Sequence, residues 1–242
     1  MTYYGKISNV KKRKIALFDI DGTIYEGKVI FPLAEYQLKE GTINKSCLDK
    51  LYNDSELYKS GRVNYEILIA NLLIHWAKGL KGGSYNMILK QTKRFFGDKG
   101  NKFFPFLKPI LILLEKTYDI YFVTGEPQFV AKAVFELFKI KGIISSELEV
   151  KDGVFTGRVR SFLAKHEEKQ TAIKELLESH HLKHSFAFGN AEGDIEMLNS
   201  VDFPICINPT PGLREIAIRR NWQIVKPGSV EKIVSILLAN AF

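Results

Sequence analysis

Apolar positions along the chain fall into two rhythms. Lys14 to Phe18 is apolar on both sides of a two-residue repeat, which predicts a strand buried on both faces. Residues 29–104 then change character and read as several amphipathic helices. In "NYEILIANLLIHWAKGL", Ile67, Ala70, Leu73, Ile74 and Ala77 recur at helical spacing. Gly79 to Gly83 interrupts that pattern, and Ser84 is placed to cap a further helix. From about Leu107 the rhythm becomes helix and strand in alternation. "YDIYFVT" predicts a strand and "PQFVAKAVFELFKI" a helix opened by Pro127. "ISSELEVKDGVFTGRV" predicts a hairpin turning at Asp152-Gly153. "EEKQTAIKELLESH", "HSFAFG", "DIEMLNS", "DFPICIN", "PGLREIAIRR", "WQIV" and "SVEKIVSILLANAF" continue the alternation to the end.

Strands alternating with helices predict an α/β fold, a Rossmann-like parallel sheet covered on both faces. Right-handed crossovers put the strand C-termini on one edge, where open α/β sheets bind ligands. Residues 1–27 and 107–242 are expected to form this core, with 28–106 inserted over that edge as a helical cap domain. "FFPFLKPILILL" is too short to span a bilayer and carries Lys108 and two prolines, so it reads as a buried core helix.

Composition narrows the class. The 242 residues are 45% hydrophobic and 12% aromatic, enough for a sizeable core. Two cysteines, Cys47 and Cys206, do not make a disulfide framework and fit a reducing compartment. Lys11-Lys12-Arg13-Lys14 precedes an apolar run, but Asp19 breaks that run too early for a secretory signal. A cytoplasmic protein with no membrane partner is the expectation. The net charge of +8 is uneven: residues 28–106 carry thirteen Lys/Arg against seven Asp/Glu, and 107–242 carry seventeen of each. A solvated lysine-rich face explains this, as does an electropositive lid that draws in an anion. The basic residues are not interleaved with aromatics in a nucleic-acid motif, which argues against that partner.

Chemistry-bearing residues cluster at strand ends. The first strand ends in Asp19-Ile20-Asp21-Gly22-Thr23, another in Val123-Thr124-Gly125, another in Gly189-Asn190-Ala191-Glu192-Gly193-Asp194. Lys165 and Lys169 sit at a helix start. Two carboxylates one residue apart repel unless a cation sits between them. Mg²⁺ takes hard oxygen ligands and keeps waters, so Asp19, Asp194 and the backbone carbonyl of Asp21 are candidate ligands. The Asp21 side chain is then available as a general acid and base. Each feature alone has a plainer reading: a turn, a loop, a solvated lysine, a helix cap. Likewise His180, His181 and His184 read as surface residues rather than a transition-metal cluster, and His75 and Trp76 as packing.

"FDIDGT" resembles the first motif of the haloacid dehalogenase superfamily. "FVTGEP" is similar to its second motif, Lys169 in "EEKQTAIKEL" to its third, and "FGNAEGDIEML" to its fourth, in order along residues 14–240. "LEVKDGVFTGRV" and "PICINPTPGLREIAIRRNWQIV" resemble its phosphoserine-phosphatase-like branch. The resemblance implies a Mg²⁺-dependent phosphatase. Asp19 would attack phosphorus to form an aspartyl-phosphate, and Asp21 would protonate the leaving alcohol. Thr124, Gly125 and Lys169 would hold the phosphoryl oxygens, with Lys165 as the second candidate lysine. Thr23 and Asn190 would support the metal ligands. Motif four normally opens Gly-Asp, and Asn190 stands there instead. Lys28 stands where phosphoserine phosphatases place a glutamate for the serine amine. Ala70 or Leu72 stands where they place an arginine for its carboxylate. The expected substrate is therefore a small anionic phosphorylated metabolite other than phosphoserine, with Lys28 and Arg160 as candidate contacts. Transfer to an acceptor alcohol, or non-catalytic binding of an anion or nucleic acid, are the alternatives.

Overall fold

The computed structural model describes residues 12–98, 100–163 and 166–240, with backbone only for 166–170. A seven-stranded sheet forms its centre, in the order β4-β3-β2-β1-β5-β6-β7. The strands are β1 (Lys14–Phe18), β2 (Tyr118–Pro127), β3 (Gly142–Lys151), β4 (Val154–Ser161), β5 (His181–Gly189), β6 (Phe203–Ile207) and β7 (Gln223–Val225). All pairings are parallel except β3 with β4. Those two form the expected hairpin, and Asp152 and Gly153 both take positive φ, 49° and 77°, as a tight two-residue turn requires.

β1 lies in the middle, with β2 on one side and β5 on the other. Its alternation feeds two separate apolar layers: Ala16 and Phe18 join one, Ile15 and Leu17 the other. Phe18 stacks on Phe188 of β5 at 4.1 Å between ring centroids and meets Phe122 of β2 edge-on at 6.0 Å. A strand held this way on both faces and both edges fixes where its C-terminal residues can go.

Between β1 and β2 the chain forms five helices. They are α1 (Ile30–Lys39), α2 (Lys45–Lys59), α3 (Tyr65–Gly79), α4 (Tyr85–Asp98) and α5 (Leu107–Leu114). Asn44 and Asn64 cap α2 and α3, each side chain accepting from the backbone N–H three residues on, at 2.9 Å. Ser84 directly precedes α4, its carbonyl accepting from the Ile88 N–H at 3.0 Å, and it makes a backbone bridge to Val154 of the hairpin, which ties the start of α4 to the core. The insertion shares one continuous apolar cluster with the sheet. Trp76 on α3 is fully buried and packs edge-on against Phe129 at 5.1 Å. Phe129 belongs to α6 (Gln128–Leu137), which follows β2 directly.

The remaining helices are α7 (His166–Ser179), α8 (Ile195–Asn199), α9 (Pro211–Arg219) and α10 (Val230–Ala239). One expectation needs revision. Leu107, Ile110, Leu111 and Leu114 of α5 are buried, but Ile112 and Leu113 are 63% and 42% exposed. The apolar run is thus only half a core helix. Among the described residues, no helix is long and apolar enough to cross a membrane.

Candidate active site

The backbone N–H of Asp19 donates to the carbonyl of Phe188 at 3.0 Å, so the first acid leaves the sheet locked against the end of β5. The chain then turns tightly. Backbone N–H groups of Thr23, Ile24 and Tyr25 all converge on the carbonyl of Ile20. Gly22 makes the turn with φ +74°, and a Cβ there would fall 2.0 Å from the Asn190 side-chain nitrogen. Only glycine permits both the left-handed backbone and that approach.

Asp194 reaches the same place from the other side. Its Oδ2 accepts from the backbone N–H groups of Asn190 at 2.9 Å and Ala191 at 3.0 Å. Its carboxyl lies over Gly189, where a Cβ would come within 2.6 Å of the Asp194 Cβ. Gly189 and Phe188 are the residues beside which Asp19 leaves β1. Thr23 completes the link, with its hydroxyl 3.3 Å from Asp19 Oδ2 and 3.5 Å from Asn190 Oδ1. Asp19 and Asp194 are 7% and 1% exposed. Thr23 and Asn190 therefore lie beside the expected acids.

The donor set fits a hard cation. It offers carboxylate oxygens and no His or Cys, the ligand type that Mg²⁺ takes. Among the described residues no group of three His, Cys, Asp or Glu side chains could hold a metal alone. A backbone carbonyl such as that of Asp21, waters or substrate oxygens would complete the shell. The histidines do not gather: His180 turns to the carbonyl of Leu176, and His184 stacks on Phe203.

A pocket opens above these residues. Asp19, Asp21, Thr124, Gly125 and Gly193 form its floor, and Tyr65, Ile69, Leu72, Leu73 and Trp76 of α3 form its roof. Thr124 is buried, and its hydroxyl oxygen accepts from the backbone N–H of Glu126 at 3.1 Å. That leaves the hydroxyl proton to donate. Asp21 Oδ1 accepts from the backbone N–H of Val29 at 2.9 Å, which fixes the acid against the start of α1. Lys28 lines the pocket with its ammonium over the Tyr65 ring, 5.2 Å from the centroid.

Two residues here escaped the sequence reading. Glu126 is 5% exposed and lines the pocket. Burial, and then the charge and hydrogen bond of Asp21, hold its carboxyl well above the usual carboxylate range; Lys28 and the Ile30 N–H oppose this. β2 continues to Pro127, past its expected end, so Glu126 is two residues from Thr124 on the same side of a strand. That spacing was the available signal. Tyr65 is the other. Burial, then Asp194, Asp19, Asp21 and Glu192, raise its hydroxyl well above its ordinary value and keep it protonated.

The raised Glu126 predicts a pH dependence. A carboxyl whose folded value exceeds its unfolded value binds more protons when folded, so its contribution to stability falls as pH rises above the unfolded value. Glu126→Gln is expected to raise the thermal midpoint in chelator at neutral pH, with the gain vanishing below the usual carboxylate range. Melting curves across pH check this; a gain that instead grows toward acid would contradict it.

Other expectations fare differently. Of the Lys and Arg in 28–106, only Lys28 lines the pocket among the described residues; the other described ones are exposed, as a solvated lysine-rich face requires. Arg160 sits on β4 at the far edge of the sheet, with its side chain 73% exposed and 3.7 Å from Glu147, and is not among the pocket residues. Ala70 is absent from the lining too, while Leu72 is part of it. Lys165 lies outside the described residues. Lys169 falls within α7, but its side chain also lies outside what is described.

A family model for haloacid dehalogenase-like hydrolases matches residues 16–199. A Streptomyces azureus protein named for inhibition of morphological differentiation is 32% identical over 225 residues, 88% of this chain and 78% of that one. A histidinol-phosphatase of Neisseria meningitidis is 22% identical, over 88% of this chain and 98% of its own. Two mycobacterial relatives described as putative hydrolases are matched over only 38% and 37% of their length, so this chain spans well under half of each. Among solved structures, a phospho-aspartyl intermediate analogue of phosphoserine phosphatase superposes with a TM-score of 0.65 at 21% identity, over 90% of this chain and 94% of that one. That likeness shows the shared fold. With the family model spanning most of the core strands and the acids at their ends, the chain belongs to the haloacid dehalogenase-like hydrolases.

Proposed function

We propose that the protein hydrolyses a small phosphomonoester, with Asp19 as the nucleophile. The observation that carries this reading is that Asp19 and Thr124, from adjacent strands, line one pocket, while the Asp194 carboxyl folds back over Gly189 at the end of the strand on the other side of β1. Mg²⁺ held by Asp19, Asp194 and the Asp21 carbonyl would neutralise phosphoryl oxygens. The rest falls to the chain itself. An Asp19 carboxylate oxygen attacks phosphorus as the ester oxygen departs, and Asp21 gives that oxygen its proton. Asp21 then takes a proton from the water that cleaves the aspartyl-phosphate. Thr124 donates to a phosphoryl oxygen, its own oxygen being occupied by the Glu126 N–H. Gly125 leaves backbone room beside that oxygen, and Lys169 is the expected cationic partner. Helices α1–α4 act as a cap, residues 28–106 being a domain set into the core of 1–27 and 107–242.

The roof bears on the leaving group. Ile69, Leu72, Leu73 and Trp76 suit an apolar or aromatic body, while Lys28 is the one cation among the described lining residues and Glu126 adds an acid. The small anionic metabolite expected from the net charge thus has little support from the roof, and the leaving group we favour is apolar with a polar end. Lys28 still argues against phosphoserine.

The test is a panel of phosphomonoesters, phosphoserine included, assayed with Mg²⁺ and with chelator. Metal-dependent release of free phosphate, best with apolar leaving groups, is expected. Phosphate appearing on an acceptor alcohol instead would establish transfer, and no turnover of any ester would sink the reading. Asp194→Ala is expected to raise the Mg²⁺ concentration for half-maximal rate about tenfold or more; an unchanged requirement would remove Asp194 from the ligand set.

A further inference from the structure

The sheet edge opposite the pocket has its own character. One shallow hollow there is lined by Lys12, Lys14, Lys116 and Lys183, with His181 and His184. Nearby, Arg13 holds Asp119 at 2.8 Å and Lys139 holds Glu115 at 3.5 Å, while Asp202 accepts from the backbone N–H of His184 at 2.8 Å. Among the described residues, the lining of the hollow holds four lysines and Arg13 and no Asp or Glu.

Lys116 also belongs to a second hollow, lined by Lys108, Pro109, Ile112 and Leu113 along the outer face of α5. Lys108, Ile112 and Lys116 follow one another at four-residue spacing, and Pro109 and Leu113 form the adjacent row. Two exposed aliphatic side chains therefore sit between two lysines, beside a basic hollow. We propose that this face, the outer row of α5 together with the Lys12–Lys183 hollow, docks the protein on an anionic phospholipid surface.

Charge and pattern choose this occupant over others. Lysine stems lie along apolar surface and carry their ammonium groups to a headgroup layer, so an aliphatic centre with lysine flanks matches the boundary of a bilayer. Clustered lysines gain further from anionic lipid. A second copy meeting this face about a two-fold axis would set lysine against lysine. Nucleic acid would find phosphate contacts but no stacking platform, because the exposed large hydrophobic residues of this face are aliphatic. Docking here points the substrate pocket away from the lipid, at the opposite ends of the strands. A peripheral mode agrees with the lack of a spanning helix among the described residues.

The experiment is sedimentation of the full chain with vesicles of phosphatidylcholine alone, or with about a third phosphatidylglycerol, at low and high salt. Binding to the anionic vesicles only, weakened by salt, is expected. Ile112→Ser with Leu113→Ser, and separately Lys108→Gln with Lys116→Gln, should each lower vesicle affinity about tenfold. Both pairs are surface positions outside the catalytic machinery, so thermal midpoint and esterase rate should hold and exclude misfolding. No pelleting with anionic vesicles would overturn the proposal. So would pelleting that ignores the aliphatic pair, tighter binding to RNA than to vesicles, or a dimer that dissolves in the same variants.

Discussion

Asp19→Asn is expected to abolish turnover, lowering the rate by about 10⁴-fold or more at any Mg²⁺ concentration, since the nucleophile of a covalent mechanism has no substitute in the site. The amide is nearly isosteric, and its Oδ1 can take the place of Asp19 Oδ2 in accepting from the Thr23 hydroxyl. A steady-state assay with an aryl phosphate, paired with a melting curve, separates chemistry from folding. Appreciable turnover by a well-folded variant would contradict the nucleophile assignment.

Trp76→Ala carries the largest expected loss of stability, about 3–5 kcal/mol. The side chain is fully buried, fills the space between α3 and Phe129, and donates from Nε1 to Gln37 Oε1 at 2.7 Å. Gln37 is buried too, and its Nε2 has no hydrogen-bond partner among the described residues, so losing the indole leaves the whole amide unsatisfied there. Because Trp76 also lines the pocket, KM should rise in whatever fraction stays folded. Equilibrium unfolding in urea measures the first effect; a loss below about 1 kcal/mol would mean that α3 is not held to the core by this contact.

Much of the fold was legible because β1 and its neighbours carry a pattern with one physical solution. Apolar on both faces and ending in acids, Lys14–Phe18 had to be a central strand, and the turn chemistry of Asp152-Gly153 left little choice for the hairpin. The meeting of Asp19, Thr23, Asn190 and Asp194 followed from strand ends sharing one edge. Charge count was a poorer guide. Thirteen basic residues in 28–106 fitted a solvated face and a lid of one sign equally well, and only the fold shows that the described ones other than Lys28 are exposed and that the inward face of α3 is apolar. Arg160 misled because nothing in the sequence says that β4 is the outermost strand. Glu126 was hidden by ending β2 at Thr124, and the exposed side of α5 by the assumption that a run of leucine and isoleucine is buried all round.

The central claim is that phosphorus is transferred to Asp19. Borohydride reduction of the enzyme during turnover, followed by peptide mass spectrometry, tests it directly, since an acyl phosphate is reduced to an alcohol. The account predicts homoserine at position 19 in the wild-type chain and none without substrate. Reduction at another carboxylate, or unmodified peptide at 19 in an enzyme turning over with the intermediate shown to accumulate, would contradict it.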